Sequence, residues 1–233
     1  MKALRIKLST YAIALFIVCG VSTSAIAGSG DFAGIYGAFT GSAGGAAING
    51  KHVDQSGETT KGQVGGVFPM AGYEIGFNLP LGDVFFLGAG HSWTKGGNAV
   101  LADGKDGATG KEGNEGRDAS GLSNFHLTAR NLKEVYLMPS ISIYDNSAVY
   151  VKLGRAMADT EATGDVTGAP NNLTGDVLGI GTIAMTPSGI FIKTEGTVTR
   201  FDDISLVGVG GSNASIEGTP DMVAGTVAIG FKF

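Results

Sequence analysis

Residues 132–154 read LKEVYLMPSISIYDNSAVYVKLG, and they form two alternating segments joined by the short turn Tyr144–Ser147. One face of the first segment would carry Val135, Leu137, Pro139, Ile141 and Ile143, and the other face Glu134, Tyr136, Met138, Ser140 and Ser142. Side chains that alternate with a period of two indicate β-strands with one apolar face. The stretch therefore predicts an antiparallel hairpin.

The same pattern recurs along the chain, and the connectors between the segments alternate in length. The eight predicted strands are Phe32–Ser42, Val64–Phe77, Val84–Thr94, Leu132–Ile143, Ala148–Ala158, Gly175–Met185, Ile190–Phe201 and Met222–Phe233. Short turns at Asn78–Asp83, Tyr144–Ser147 and Thr186–Gly189 alternate with long connectors at 43–63, 95–131, 159–174 and 202–221. Short periplasmic turns and long outer loops are typical of outer-membrane barrels. The sequence predicts an all-β fold, an eight-stranded antiparallel up-and-down transmembrane β-barrel.

Strand parity predicts that six charged side chains point into the barrel. They are Glu74, Glu134, Lys152, Lys193, Glu195 and Lys232. The interior of an eight-stranded barrel is only wide enough for side chains to fill it, and unpaired charges there are costly. Three acids matched by three bases predict a polar, plugged interior. A narrow conducting path is the alternative, and Lys232 lies so near the rim that solvent could hydrate it instead.

The lipid-facing parity carries one pair of aromatic residues and two unusual positions. Phe85 and Trp93 lie at opposite ends of one strand and are predicted to be interfacial aromatics in the two girdles of a membrane barrel. Pro139 removes a ladder hydrogen bond in mid-strand, so we expect a bulge or a ladder defect there. Arg155 has the parity of the lipid face, which is favourable only near the outer headgroups.

The N-terminus has the pattern of an export signal. Lys2, Arg5 and Lys7 precede an apolar run that ends before the small residues Ala25 and Ala27. We expect residues 1–27 to be a signal peptide cleaved after Ala27, and residues 28–233 to form the outer-membrane barrel domain. An uncleaved anchor is the alternative.

Composition and motifs argue against several function classes. The single Cys of the chain, Cys19, lies in the expected signal peptide, so thiol catalysis and cysteine metal sites are not expected. Cleavage would remove three of the 16 basic residues and none of the 21 acidic ones, and so acidic a surface does not favour nucleic acid. We predict no cofactor and no metal.

The catalytic candidates lie at two positions. Adjacent His91 and Ser92 would face opposite sides of a strand, whereas His126 and Thr128 could share a face. Neither pair matches a known hydrolase motif, so we expect the protein not to be an enzyme. A lipid A-modifying activity is the alternative.

The last strand and two hairpins resemble those of known membrane barrels. The sequence VAIGFKF at 227–233 resembles the C-terminal assembly signal of outer-membrane proteins, whose positions here are Val227, Ile229, Phe231 and Phe233. The hairpins around Tyr144–Ser147 and Thr186–Gly189 are similar to those of the opacity-type and OmpA-like small barrels of the porin family. The resemblance implies an outer-membrane location, recognition by the barrel-assembly machinery and periplasmic chaperones, and a structural, adhesive or narrow-pore role.

The longest connector, 95–131, is the best candidate for contact with a surface ligand. It contains Gly at every third position from Gly104 to Gly116, which is a collagen-like spacing. Five triplets without Pro are too few for a stable triple helix, so we expect a flexible, solvated stretch. We expect a monomeric barrel in contact with outer-membrane lipid, because closure leaves no free strand edge. Its role would be structural or surface-interacting; a small porin and a secreted soluble β-protein are the alternatives.

Overall fold

A computed structural model describes residues 28–53, 59–95, 99–105, 124–164, 166–208 and 215–233. A 3₁₀ helix, η1 (Ser29–Phe32), precedes the strands. The strands are β1 (Gly34–Val53), β2 (Thr59–Pro80), β3 (Phe85–Lys95), β4 (Ala99–Lys105), β5 (Asn124–Tyr144), β6 (Ser147–Gly164), β7 (Val166–Thr167), β8 (Asn172–Met185), β9 (Ile190–Phe201), β10 (Ile204–Gly208) and β11 (Ser215–Lys232). In the part of the chain described, no helix is long and apolar enough to cross a membrane.

Eight of these strands close into a barrel. They follow the order β1-β2-β3-β5-β6-β8-β9-β11, every neighbouring pair is antiparallel, and β11 pairs with β1 over almost its whole length. Each matches one of the eight predicted segments; three segments, Phe32–Ser42, Val84–Thr94 and Met222–Phe233, exceed their strand by one or two residues. The predicted fold is confirmed. The predicted signal peptide, residues 1–27, lies outside the described residues.

The register of the pairs determines how far the strands tilt. We followed the paired residues from strand to strand around the barrel. A path that leaves β1 at Tyr36 returns to β1 at Ala46, ten residues along the strand. For eight strands about 4.8 Å apart, a shear of ten residues corresponds to a tilt of about 40°. The interior is therefore narrow, and side chains fill it.

The outer surface carries an apolar belt. On β9 the outward side chains run from Ile190 through Ile192 and Val198 to Arg200, where the charged region begins. Ten residues tilted by about 40° span about 25 Å, the height of the apolar band in outer-membrane barrels. Exposed Phe39, Ile75, Val135, Leu137, Ile180, Val223, Val227 and Ile229 continue the belt around the barrel. Such a surface is suited to lipid, and the barrel is transmembrane.

The strands extend farther than the sequence predicts at the end with the long connectors. β1 continues to Val53 instead of ending at Ser42, and β5 begins at Asn124 instead of Leu132. The short strands β4, β7 and β10 also lie in segments that were predicted to be loops. Gly-rich and polar stretches lack an alternating pattern, yet their backbone groups still pair when a neighbouring strand continues beside them.

Pro139 produces a ladder defect without a bulge. The pairs between β5 and β6 pass from Leu137–Leu153 to Ser140–Tyr150 with no change in register. On its other side Pro139 remains paired with Leu87 of β3. The missing N–H therefore interrupts one ladder locally and leaves the register of the barrel unchanged.

A closed barrel predicts a heat-modifiable protein. We expect the unboiled protein, extracted from membranes in detergent, to migrate differently on a gel from the boiled protein, because the closed sheet survives the detergent until heated. Equal mobilities before and after boiling would show that the extracted chain does not hold a closed barrel.

Candidate functional site

Three inward tyrosines lie against glycines on neighbouring strands. The paired positions are Tyr36 with Gly76, Tyr136 with Gly90, and Tyr150 with Gly181. A Cβ atom on any of these glycines would overlap the tyrosine ring. Since glycine has no Cβ, each ring lies across the neighbouring strand and its hydroxyl reaches the middle of the barrel. The hydroxyls of Tyr36 and Tyr136 come within 3.1 Å of each other there.

Two lysines join carboxylates from different walls of the barrel at this level. Lys152 on β6 donates to Oε2 of Glu134 at 2.6 Å and to Oε1 of Glu195 at 2.8 Å. Lys193 on β9 donates to Oε2 of Glu74, which lies on β2, at 2.6 Å. All five side chains are buried. We call these five residues the charged layer.

Hydroxyl groups bind the carboxylates of the charged layer. Tyr150 donates to Glu195 at 2.9 Å, and Ser92 donates to Glu134 at 3.1 Å. Tyr136 donates to Glu74 at 3.3 Å, and Lys152 lies 4.5 Å from the centre of the Tyr136 ring. A buried ion pair is tolerated only when further hydrogen bonds satisfy its atoms, and these hydroxyls provide one for each carboxylate. The second oxygen of Glu74, Oε1, is buried and has no partner among the described residues.

Apolar side chains fill the barrel on both sides of the charged layer. Toward the long connectors the core contains Ile48, Phe68, Leu127, Leu132, Leu173, Val177, Phe201, Leu206 and Met222. Toward the short turns it contains Phe32, Phe86, Met138, Ile183, Met185 and Phe191. Beside Phe191 and Lys193 the described residues leave a cavity of about 20 Å³, which has room for about one water molecule.

The segment before β1 closes the end with the short turns. Phe32 in η1 stacks on Phe86, with ring centres 5.0 Å apart, and its carbonyl accepts a hydrogen bond from Asn78. The backbone N–H of Ser29 donates to the Asp83 carbonyl at 2.7 Å. Lys232, the sixth of the predicted inward charges, lies at this rim outside the charged layer, where its Nζ donates to the Asp31 carbonyl at 2.6 Å.

The two predicted interfacial aromatics lie on the outer surface of β3. Phe85 is exposed beside the short-turn end of the belt. Trp93, eight residues further on, has its ring centre 5.6 Å from that of Tyr73. The lysines Lys95 and Lys133 both lie over the Trp93 ring. At a tilt of about 40° the two aromatics lie about 20 Å apart along the barrel axis.

The residues of the predicted C-terminal assembly signal face outward on β11 and at Phe233, directly after it. Val227, Ile229, Phe231 and Phe233 are all exposed, and the rings of Phe231 and Phe233 form an edge-to-face pair. The strand that carries them closes the barrel against β1. Their recognition by assembly machinery stays a prediction.

Arg155 lies on the outer surface, as its parity predicts, and is paired there. Its guanidinium donates to Asp176 at 2.7 Å and lies 3.7 Å from Asp202. Three charged residues, Arg155, Asp176 and Arg200, occupy successive partner positions on β6, β8 and β9. They mark the upper limit of the belt on that side of the barrel.

Of the two catalytic candidates, the pair His91 and Ser92 is not assembled into a site. Ser92 is buried and donates to Glu134, whereas His91 lies on the opposite, outward face of β3. Thr128 is buried and its hydroxyl donates to the Glu161 carbonyl at 3.4 Å. The side chain of His126 lies outside the described residues. Among the described residues, no cluster of His, Cys, Asp or Glu could hold a metal ion.

Sequence reasoning missed the hydroxyl groups that surround the charged layer. Tyr36, Ser92, Tyr136 and Tyr150 carry no charge, so an inventory of inward charges does not include them. Their inward parity was readable for Tyr136 and Tyr150. The additional signal is an inward glycine at the partner position of each tyrosine, which requires the strand register.

Lys152→Met should destabilise the barrel by about 3–5 kcal/mol, because it leaves the carboxylates of Glu134 and Glu195 buried without their cation. Urea unfolding in phospholipid vesicles measures the loss. The matched control is Lys232→Met at the exposed rim, which should cost less than about 1 kcal/mol. The triple variant K152M/E134Q/E195Q should regain most of the stability. Equal losses for the two single variants would contradict the interpretation.

Comparison with known proteins finds similar folds and no related sequence. No family model matches the chain, and no curated protein matches it. The attachment invasion locus protein Ail of Yersinia pestis has 13% identity and a TM-score of 0.40, covering 84% of this chain and 99% of Ail. The outer-membrane protease OmpT of Escherichia coli has 10% identity and a TM-score of 0.43, covering 91% and 99%. OprG of Pseudomonas aeruginosa has 11% identity and a TM-score of 0.42, covering 86% and 96%. On the pairing and the apolar belt described above, the chain has the fold of a small outer-membrane β-barrel.

Proposed function

We propose that the protein is a non-conducting barrel of the bacterial outer membrane with a structural or surface-interaction role through its long connectors. The observation that carries this proposal is the filling of the barrel: a charged layer lies between two apolar cores. An ion that crosses the barrel would have to displace the packed side chains of both cores. The barrel is suited to anchoring a surface rather than to transport.

The location and the route to it belong to the same proposal. Residues 1–27 act as a signal peptide that is cleaved after Ala27, and the protein inserts as a monomer with the help of periplasmic chaperones and the barrel-assembly machinery. The exposed apolar belt and the outward aromatics of β11 support this route. The long connectors then lie outside the cell.

The strands supply a rigid support for those connectors. Beyond the belt, β1 carries the polar residues Asn49 and Lys51 outward, while Ile48 still packs inward with Leu127 and Leu206. Lys51 pairs with Glu217 of β11 at 2.9 Å on this outer section. The barrel wall therefore continues past the lipid with a water-compatible exterior and an apolar interior. A ligand bound by the connectors would be held at a fixed distance from the membrane.

A small porin is the second candidate, and the charged layer is the observation that favours it. The charged layer places two cations and three carboxylates across the middle of the barrel. Exchange of partners between these groups would create a polar passage at this level. The apolar cores above and below would still have to open.

In planar lipid bilayers at neutral pH, the purified protein should produce no discrete conductance steps, because both apolar cores block the barrel. The variant F32A/F86A, which removes the stacked pair at the short-turn end, serves as the control for that end of the barrel. It should remain closed at the second apolar core and also produce no steps. Reproducible steps from the wild-type protein would favour the porin instead.

The proposed orientation predicts where trypsin cuts on intact cells. The connector 95–131 contains Lys111 and Arg117, whereas the three short turns contain no Lys or Arg. Trypsin added outside should therefore cleave in this connector and leave both fragments in the membrane. Cleavage that requires a permeabilised outer membrane would contradict the orientation.

A further inference from the structure

The cations of the outer surface fall into two groups, those with a carboxylate partner and those without one. Lys51, Arg130, Arg155 and Arg200 each pair with a carboxylate: Glu217, Glu161, Asp176 and Asp221 respectively. Lys95 on β3 and Lys133 on β5 have no carboxylate partner within the described residues. Both lysines instead lie over the Trp93 ring, with Nζ atoms 4.9 and 5.6 Å from its centre.

The position of these two lysines relative to the belt points to their ligand. Trp93 lies about 20 Å above Phe85 along the same strand face, near the top of the belt, where indole rings favour the membrane interface. Below it, Val135 is 63% exposed and Leu137 is 51% exposed on β5. Two uncompensated cations above an exposed apolar face match an amphiphile that has an anionic head and apolar tails.

We propose that Lys95, Trp93 and Lys133 bind the phosphate-bearing headgroup of an outer-leaflet lipid, whose acyl chains lie along Val135 and Leu137. This inference rests on the proposed outer-membrane location and orientation.

The chemistry of the three side chains fits a phosphate group. Each ammonium has three donors, and a phosphate accepts several hydrogen bonds at once. The indole Nε1 of Trp93 is buried and has no acceptor in the described structure. When the lysine side chains turn from the ring toward a headgroup, a lipid oxygen can accept from this N–H. The ring and the aromatic neighbour Tyr73, 5.6 Å away, provide an amphipathic support for the headgroup.

The polar character of this side reaches below the lysines. His91 lies on the outward face two residues before Trp93, and its partners are Ile75 on β2 and Val135 on β5. A polar imidazole at this depth is consistent with a surface that holds one lipid specifically, rather than one that meets bulk acyl chains.

Trp93 provides the measurement, because it is the single tryptophan of the chain. The protein is reconstituted in phosphatidylcholine vesicles, and bis-phosphorylated lipid A is added as the probe. We expect a saturable change in Trp93 emission. In K95Q/K133Q the affinity for lipid A should fall about 30-fold, since each cation at an anionic membrane surface contributes about fivefold. The quantity compared between the wild type and the variant is the change in Trp93 emission on adding lipid A, because the substitutions also alter the emission of the lipid-free protein.

The control variant is K51Q/R130Q, which removes two cations that already have carboxylate partners. It should bind lipid A with wild-type affinity. An equal loss in both double variants would show that net charge alone attracts the lipid and would overturn the proposed site, as would wild-type affinity in K95Q/K133Q.

Two further measurements distinguish a lipid phosphate from a free phosphate ion. The design also distinguishes a failure of the lipid site from a failure of the proposed function. Inorganic phosphate at millimolar concentration should leave Trp93 emission unchanged, and a full response to it would assign the site to a free anion instead of a lipid. Dephosphorylated lipid A should bind about as weakly as the double variant. The binding measurement uses purified protein, so a failure here would overturn the lipid site and leave the trypsin and conductance results to decide the proposed function.

Discussion

Every other feature of this molecule depends on the pairing of β11 with β1. Inside a bilayer there is no water to satisfy the N–H and C=O groups of an open sheet edge, so a membrane-spanning sheet must close. The eighteen partner pairs from Tyr36–Lys232 to Val53–Ser215 achieve this closure. They also impose the ten-residue shear, which determines the tilt of the strands and hence the width of the interior. The requirement for narrow, fully packed contents follows from that width.

Three kinds of contact share that interior. The three tyrosines approach the axis only because glycine stands at each partner position. The hydroxyls of Tyr136 and Tyr150 then reach carboxylates on other strands, and that of Tyr36 reaches Tyr136. Lys152 and Lys193 connect strands that are not neighbours in the sheet. These ion pairs therefore join walls that backbone hydrogen bonds do not join. The same ion pairs therefore stabilise the lipid-facing sheet and help to block the passage through its centre.

The sequence predicts much of the barrel and less of what lies within it. Alternation in Leu132–Ile143 and in Ile190–Phe201 was strong because lipid selects apolar residues on one face and the interior selects polar ones on the other. The extensions of β1 and β5 lack that contrast, since both their faces leave the lipid, and they were predicted as loops. Five of the six inward charges meet in one layer, but which lysine binds which carboxylate depends on the register. The separate position of Lys232 follows from its place at the rim.

The ends of the described chain lie side by side. The Phe233 N–H donates to the Ile35 carbonyl at 2.9 Å, and Lys232 reaches the Asp31 carbonyl. A short linker could therefore join residue 233 to residue 28, and the chain could be opened within the connector 95–131. The same eight strands would then pair in the same circular order, while the terminal aromatic strand would become an internal one. Such a circular permutant would keep the contacts of Phe233 in the barrel wall but would remove its terminal position. It would therefore separate the effect of Phe233 on folding from any effect that needs a free carboxyl end at this residue.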